Sequence, residues 1–348
     1  MTPRVLLTAM HVEAILQTMP HGPTHATIAV TARCNSRCAM CDIWKRKAPP
    51  EAEPSLYFRL PESLQNINLT GGEPYLRQDL PQIVLAVRER LPKARVVIST
   101  NGLDTDRIAQ ATDEILRIQP HIGIRISLDG RPDTHDALRG VKSAHYNALR
   151  TLAALKHEGV ADLGLAYTMC RGNESELLYV YELAREHGIE FTLSMVHSSA
   201  HFFGEHTDRR PDPEIGALAL ARLQNRQLAS PDPKSWARAY FTQGLAEVLQ
   251  GGPRPLACSA LDDFFHMDPQ GRIYPCNVLD VPLGSLADSC YGELLQAAPQ
   301  ARKAVQSCRV ECWMICTAAP AMRRRPLRIL WWAAKKRLSL LGPGGAEP

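Results

Sequence analysis

The chain has 348 residues, of which 45% are hydrophobic and 22% are charged, and its formal net charge is +4. This composition is typical of a globular protein with room for one large domain and a smaller one. The small net charge argues against a nucleic-acid partner, and no uncharged apolar run reaches the roughly 18 residues that a membrane span requires.

The N-terminal segment, residues 1–23, is predicted to contain one helix from Val5 to Met19. It shows no secretory signal, because VLLTAM is short and is followed by His11 and Glu13. Ten cysteines without such a signal favour a reducing, cytoplasmic location and metal chemistry rather than disulfides.

From residue 24 onward, short β-branched or alternating runs alternate with helical patterns. Strands are expected at 26–30, 66–70, 95–99, 122–128, 163–169 and 189–195. Helices are expected at Leu80–Leu91, Asp106–Ile118, Ser143–Glu158 and Glu174–His187. This α/β alternation predicts a parallel sheet with right-handed crossovers, open or curled into a partial, TIM-like (β/α)6 barrel over residues 24–200.

Four unusual loops follow the first four strands. CNSRCAMC follows the first strand, TGGEP the second, STNG the third and SLDG the fourth. Because parallel sheets bind ligands at the carboxyl ends of their strands, the four loops predict one site. The first loop supplies three thiols, which leave one ligand position of a metal site or cluster open; these are Cys34, Cys38 and Cys41.

The four loops, in this order, resemble the motifs of the radical SAM enzymes, and the resemblance covers residues 24 to 197. It implies that the three cysteines bind a [4Fe–4S] cluster whose fourth iron chelates S-adenosylmethionine (SAM). One electron then cleaves SAM and releases a 5′-deoxyadenosyl radical, so the resemblance also implies a reductant such as flavodoxin or ferredoxin.

The resemblance also implies roles for the other loops. Gly71 and Gly72 would approach the methionine ammonium of SAM, with Glu73 nearby, although a tight turn is the alternative. Three further residues would contact the ribose or methionine portion, with ordinary capping and turn chemistry as the alternative: Ser99, Asn101 and Ser127.

Two arginines are candidates for the SAM carboxylate. Arg125 shares a strand face with Ser127 and would need an anion inside the barrel, either that carboxylate or Glu73. If the strand turns Arg125 outward, it is a surface residue. Arg139 in HDALRG is a second candidate, and Cys170 is expected to be a buried small hydrophobe.

The chain changes character after Ser198. Residues 197–213 are rich in histidine and charge and are expected to border the barrel mouth. Helices at Glu214–Ser230 and Ser235–Gln250 would form a linker over residues 201–252, and a Pro-Gln-Gly hairpin is expected in the next segment, residues 253–322.

Residues 253–322 carry most of the remaining cysteines and resemble the SPASM and twitch extensions of radical SAM enzymes, through Gly271-x4-Cys276 after an earlier cysteine. The shorter twitch form implies one auxiliary [4Fe–4S] cluster. With four protein thiolates this cluster would transfer electrons, whereas with three its free iron would bind substrate. Its expected ligands are Cys258, Cys276, Cys308 and Cys312, with Cys316 as a substitute or spare. The C-x3-C-x3-C spacing departs from the usual pattern and leaves this ligand set open. A zinc ribbon is the alternative to an auxiliary cluster in this segment. Cys290 is expected to be structural.

The last segment, residues 323–348, is basic and has no acidic residue between Glu311 and Glu347. At helical spacing it forms an apolar stripe: Leu327, Leu330, Trp331, Ala334, Leu338 and Leu341. Such a helix suits peripheral contact with an anionic membrane, or it packs on the barrel with its basic face outward.

The substrate is expected to be a small molecule, a sugar or a lipid-linked molecule, because only about two dozen residues precede the barrel. Modification of a ribosomal peptide is the alternative. A different class also remains open, in which the protein is a non-catalytic iron–sulfur electron carrier or sensor.

Overall fold

The computed structural model describes residues 22–341, and the helix predicted at Val5–Met19 lies outside them. Its framework is a set of six parallel strands that pair in chain order. They are β1 (His25–Thr31), β2 (Asn66–Gly71), β3 (Arg95–Thr100), β4 (Gly123–Ser127), β5 (Asp162–Met169) and β6 (Glu190–Met195). All six predicted strands are therefore confirmed.

Helices connect most of these strands. They are α1 (Leu80–Arg90), α2 (Thr105–Ile118), α3 (Pro132–Arg139), α4 (Ala144–His157) and α5 (Leu177–Glu186). Gly159 and Gly188 follow α4 and α5 with positive φ angles of 82° and 65°, as expected at helix C-termini. Only α3 was not predicted, and it begins with Pro132 at its first position and ends at Gly140, with φ of 62°.

The two faces of the sheet differ in polarity. Ile67 and Leu69 of β2 belong to the main hydrophobic core, which lies between the strands and the helices. On the opposite face, Ser99 Oγ donates to Asn68 Oδ1 at 2.9 Å. The predicted alternation is confirmed, and the polar face is the one available to a ligand.

The second half of the chain adds helices and a hairpin. The predicted linker helices are confirmed as α6 (Pro213–Ala229) and α7 (Pro233–Leu249). They precede strands β7 (Phe264–Met267), β8 (Arg272–Tyr274) and β9 (Gly284–Ser285) and helices α8 (Tyr291–Ala297), α9 (Pro299–Gln306), α10 (Ile315–Arg323) and α11 (Pro326–Leu341). β7 pairs parallel with β1, so this segment extends the barrel sheet instead of standing apart from it.

Helix α11 packs against α7. Ile329 and Ala333 are buried, and the Trp332 ring meets the Tyr240 ring edge-on at a centroid distance of 5.2 Å. Arg337 lies over the Trp236 ring at 4.7 Å. The packed face is therefore not the apolar stripe that the sequence indicated. Among the helices of residues 22–341, none combines the length and the apolarity needed to cross a membrane.

Candidate active site and a second cysteine site

The loop after β1 carries Cys34, Cys38 and Cys41, and its backbone forms hydrogen bonds with the end of α3. The backbone N–H of Arg37 donates to the carbonyl of Arg139 at 3.0 Å, and that of Ala39 donates to the carbonyl of Leu138 at 2.8 Å. Because α3 begins just after the SLDG motif, this contact brings the first and fourth predicted loops together.

Polar groups lie close to two of the three sulfur atoms. Ser36 Oγ lies 3.1 Å from Cys38 Sγ, and Arg139 Nη1 donates to the same sulfur at 3.7 Å. Asn101 Nδ2 lies 4.0 Å from Cys34 Sγ. Burial raises the pKa of Cys34 to about 11 and that of Cys41 to about 12. Such thiols ionise when a metal supplies the compensating charge, so the site fits the iron–sulfur cluster that the sequence implies.

The two glycines of TGGEP allow close packing between neighbouring loops. A Cβ on Gly71 would lie 2.1 Å from the carbonyl oxygen of Thr31, and one on Gly72 would lie 2.1 Å from that of Arg33. The Gly72 N–H donates to the Thr31 carbonyl at 2.8 Å. The glycines therefore hold the second loop against the cysteine loop, and their contact with the SAM ammonium stays a prediction.

Glu73 connects the second loop to the third. Its side chain is 2% exposed and accepts hydrogen bonds from Thr100 Oγ1 at 2.8 Å and from the Asn101 N–H at 2.7 Å. Burial raises the pKa of Glu73 to about 7, although these hydrogen bonds oppose the rise. Asn101 in turn donates to Asn35 at 2.8 Å, beside Cys34. Glu73 thus positions the third loop at the cysteines.

Ser99 and Ser127 lie near the carboxyl ends of β3 and β4, partly exposed on the polar side of the sheet. Arg125 requires a correction, because its guanidinium does not reach Glu73 or the cysteine loop. It donates to Asp162 Oδ1 at 2.7 Å and to the Asp162 carbonyl at 2.9 Å. Asp162 begins β5, so Arg125 points toward the amino ends of the strands and leaves the candidate site.

The anion that faces Arg139 is Asp129 of the SLDG motif, which the sequence analysis did not single out. Arg139 Nη2 lies 2.6 Å from Asp129 Oδ2, and Asp129 is completely buried. The other carboxylate oxygen accepts from the Thr168 N–H at 2.8 Å. Arg139 is therefore at the site, although its direct partners are Asp129 and Cys38.

The histidine-rich loop covers the cysteine loop. Arg46 donates to the carbonyls of Ala200 and His201 at 2.7 and 2.6 Å, and the Asp42 N–H donates to the Phe203 carbonyl at 2.7 Å. Phe202 is buried in a small cluster that also contacts Cys34 and Cys41. This placement supports the prediction that residues 197–213 border the barrel mouth.

A second cysteine site lies in the C-terminal half. Its cavity is lined by the four expected ligands, Cys258, Cys276, Cys308 and Cys312. Burial raises the pKa of Cys276 to about 11, and the Cys276 sulfur accepts the N–H groups of Val278 and Leu279, both at 3.4 Å. Arg254 Nη2 lies 3.5 Å from the sulfurs of both Cys308 and Cys312. These donors suit thiolates, so the site also fits a cluster.

The other cysteines take different positions. Cys316 is not among the residues that line the cavity, and its sulfur lies 3.8 Å from Asn277 Oδ1. It is nevertheless a neighbour of the expected ligands, because burial raises the pKa of Cys316 and the charges of Cys276, Cys312 and Cys258 raise it further. Cys170 is buried beside Met40, as expected. Cys290 is exposed immediately before α8, and its structural role stays a prediction. In residues 22–341, no three or more Cys, His, Asp or Glu side chains converge closely enough to hold a single metal ion.

Sequence comparisons agree with the site. Residues 28–184 match the model of the radical SAM superfamily. The chain is 33% identical over 170 residues to the Fe-coproporphyrin III synthase of Methanosarcina barkeri, covering 46% of this chain and 40% of that protein. It is 27% identical over 299 residues to the sporulation killing factor maturation protein SkfB of Bacillus subtilis, covering 82% of this chain and 67% of SkfB. The chain thus spans only part of the length of these relatives.

Solved structures show the same fold. The alignment with the AdoMet-bound structure of anSMEcpe covers 90% of this chain and 99% of the anSMEcpe chain, with a TM-score of 0.61 at 16% identity. Streptococcus suis SuiB bound to S-adenosylmethionine covers 90% of this chain and 76% of its own, with a TM-score of 0.60 at 16% identity. Members of the superfamily use a [4Fe–4S] cluster and SAM, as predicted here. Residues 28–184, which begin just before the three-cysteine loop, therefore form a radical SAM domain.

Proposed function

We propose that the protein is an enzyme that cleaves SAM reductively and abstracts a hydrogen atom from its substrate. The observation that carries this proposal is the loop with Cys34, Cys38 and Cys41, which lies against the TGGEP loop and the end of α3, the helix that follows SLDG. When bound, the cluster and SAM supply a one-electron cleavage that yields methionine and a 5′-deoxyadenosyl radical. A flavodoxin or ferredoxin would supply the electron.

The protein's own residues would hold and orient these cofactors. The three cysteines would bind three irons, and Glu73 would keep Asn101 beside them through the hydrogen bond to its N–H. Ser99 and Ser127 lie on the polar side of the sheet, where the ribose or methionine portion of SAM would bind. The covering loop around Phe202 would limit access of water to the radical.

The second site would hold an auxiliary [4Fe–4S] cluster on Cys258, Cys276, Cys308 and Cys312, as in the twitch form, with Cys316 as a spare thiol. Support comes from the shared cavity of these four thiols and from the donors at their sulfurs. A cluster with four protein ligands would supply a one-electron acceptor for oxidation of the substrate.

Anaerobic reconstitution tests both sites. Replacement of Cys34, Cys38 and Cys41 by Ala should remove about four irons, one cluster's worth, and all formation of 5′-deoxyadenosine with dithionite. The same variant should keep a second iron–sulfur spectrum. Unchanged SAM cleavage would exclude the proposed chemistry, and zinc in place of the second spectrum would exclude the auxiliary cluster. Cluster reduction without 5′-deoxyadenosine in the wild type would identify a carrier or sensor instead.

Two substrate classes have specific support. A small molecule or sugar carried on a lipid is favoured by the exposed surface of α11, described below. A peptide is favoured by the similarity to SkfB, which is named as a sporulation killing factor maturation protein and aligns with 82% of this chain. It is also favoured by the shared fold of SuiB, whose structure was solved with the precursor peptide SuiA bound. Lipid extracts and short peptides are each incubated with the enzyme, SAM and dithionite. The substrate class is the one that raises the yield of 5′-deoxyadenosine above the yield without added substrate.

We further propose that α11 makes peripheral contact with an anionic membrane. While Ile329 and Ala333 pack inward, the apolar stripe faces solvent: Leu327 is 73% exposed, Trp331 68% and Leu338 71%. The side chains of Arg325, Lys335 and Lys336 are also exposed. At about 1 kcal/mol for each basic residue near an anionic surface, these three would contribute about 3 kcal/mol, enough for reversible attachment together with the apolar stripe.

Co-sedimentation tests this contact with the full chain and vesicles of phosphatidylglycerol and phosphatidylcholine, or of phosphatidylcholine alone. Binding should require the anionic lipid, weaken at high salt, and be lost when the stripe is replaced by serine at Leu327, Trp331 and Leu338. A matched control replaces three exposed apolar residues elsewhere, Tyr146, Ile215 and Leu218. Equal binding by the two triple variants would contradict the proposal.

A further inference from the structure

Each cysteine site contains one arginine directed at its sulfur atoms. At the first site Arg139 Nη1 donates to Cys38 Sγ at 3.7 Å. At the second site Arg254 Nη2 lies 3.5 Å from the sulfurs of Cys308 and Cys312. Nearby charge and hydrogen bonds to sulfur are among the factors that set the reduction potential of an iron–sulfur cluster. The two arginines are therefore placed to act on the potentials of the two clusters.

The charge of Arg139 is compensated within its own site. Its Nη2 lies 2.6 Å from Asp129 Oδ2, and this carboxylate is completely buried. The carboxyl of Glu73 is also close, because it accepts the N–H of Asn101 at 2.7 Å and the side chain of Asn101 lies 4.0 Å from Cys34 Sγ. The thiols of the first site therefore face the ion pair between Arg139 and Asp129, and the carboxyl of Glu73 is close to it. Arg139 consequently adds no net positive charge to this site.

The charge of Arg254 has no such compensation. Its remaining side-chain hydrogen bonds go to neutral carbonyls, those of Val310 at 2.7 Å and Cys312 at 3.0 Å. Among the ion pairs of residues 22–341 none includes Arg254, and it is the one charged residue that lines the cysteine cavity in this part of the chain. Glu311, the acidic residue next to these carbonyls in sequence, instead pairs with Arg210.

We propose that the unpaired charge of Arg254 holds the auxiliary cluster at a higher reduction potential than the SAM-binding cluster. Reduction adds one negative charge to a cluster, and an adjacent cation in a partly buried site stabilises that charge. At the first site Asp129 cancels the effect of Arg139, which keeps that cluster a strong reductant. The inference rests on the proposed function, because it requires that the second site hold a cluster.

The difference in potential gives the two clusters opposite roles. A cluster bound at the first site would supply the electron that cleaves SAM. A cluster bound at the second site would supply the acceptor for one electron from the substrate radical, which would also release one proton and become a closed-shell product. That electron would then leave to an external one-electron carrier of the flavodoxin or ferredoxin class.

Redox titration followed by electron paramagnetic resonance tests the proposal without measuring activity. In the variant that lacks Cys34, Cys38 and Cys41, the signal reports the second cluster alone. Arg254→Gln should lower its midpoint potential, and Arg254→Lys should retain most of the wild-type value. The control Arg302→Gln removes the same formal charge from an exposed ion pair with Asp262 and should leave the potential unchanged.

A further variant covers the case in which Arg254→Gln does not retain iron. Val310→Asp keeps the arginine and places a carboxylate beside it, so the midpoint potential should fall as it does for Arg254→Gln. The proposal is overturned if the midpoint potential of the second cluster in Arg254→Gln equals the wild-type value. If only Val310→Asp holds iron, an unchanged potential in that variant overturns it. A three-cysteine variant without any second cluster instead refutes the proposed function of the site, so the two failures are distinguishable.

Discussion

Removal of one partner from the ion pair between Asp129 and Arg139 should strongly destabilise the apoprotein, because the other charge would remain buried without compensation. Asp129 is completely buried, and Arg139 has little exposure to solvent. Asp129→Asn removes the negative charge while an amide oxygen can still accept the Thr168 N–H, which the carboxylate accepts at 2.8 Å. The substitution therefore isolates the loss of charge compensation from the loss of a backbone hydrogen bond.

The size of the effect follows from the geometry. At the observed 2.6 Å, Coulomb attraction between unit charges is about 6 kcal/mol with an effective dielectric constant of about 20. Desolvation of both groups offsets part of this attraction, and removal of one partner from a buried pair typically costs about 3–5 kcal/mol. Because domains are stable by only about 5–15 kcal/mol, Asp129→Asn should remove a large fraction of the free energy of unfolding.

A double-mutant cycle measures this coupling in urea, under anaerobic reducing conditions. Asp129→Asn/Arg139→Gln should recover much of the stability that Asp129→Asn loses, because no uncompensated charge remains. The control is the exposed pair Asp113 and Arg117 of α2, whose disruption should cost at most about 1 kcal/mol. The reasoning fails if the two pairs give equal costs, or if the double variant is no more stable than Asp129→Asn.

Three other outcomes are expected. Burial raises the pKa of Glu73 from an ordinary value of 4.5 to about 7, so the folded state binds this proton more tightly than the unfolded state does. Protonation of Glu73 therefore contributes about 3 kcal/mol to the free energy of unfolding. This contribution is fully present below pH about 4.5 and is lost as the pH rises through about 7. Glu73→Gln should flatten the pH dependence of the apoprotein's unfolding in that window, and an unchanged slope would contradict the assignment. Gly72→Ala should abolish iron binding at the first site, measured by iron content and absorbance, because its Cβ would meet the Arg33 carbonyl. Ile329→Ala should lower the free energy of unfolding by about 2 kcal/mol or more, whereas exposed Leu330→Ala should change it by less than about 0.5 kcal/mol.

The strands and the site loops could be predicted from the sequence because both depend on local patterns. Alternation in NINLT determined which face is polar, and the order of strands placed four loops at one edge. The destination of Arg125 could not be predicted in the same way. Period-two alternation gives the face of a residue, but a long side chain can extend toward either end of its strand. The choice depended on Asp162, an anion on the neighbouring strand.

Helix α11 shows a related limit. The sequence contains two apolar surfaces on this helix, the stripe that begins at Leu327 and the smaller set of Ile329, Trp332 and Ala333. Periodicity favours the stripe because it has more members, but the packed surface is the smaller one. The fit of Trp332 against Tyr240 is a contact across about ninety residues of sequence, and local spacing holds no information about it.

The pairing of β7 with β1 determines how the two cysteine sites can be studied. β1 leads directly into the first cysteine loop, and every residue of β1 is buried, as in the interior strand of a parallel sheet. β7 pairs with the free edge of β1, and its Phe264 and Phe265 are buried. β7 and β8 form a hairpin, and Cys276 follows it in sequence. Removal of residues 253 onward would expose the edge of β1 and remove these aromatic side chains from the core, so the barrel would lose stability together with the auxiliary ligands. Substitution of individual cysteines leaves the sheet intact, and it is therefore the perturbation that can separate the chemistry of one cluster from that of the other.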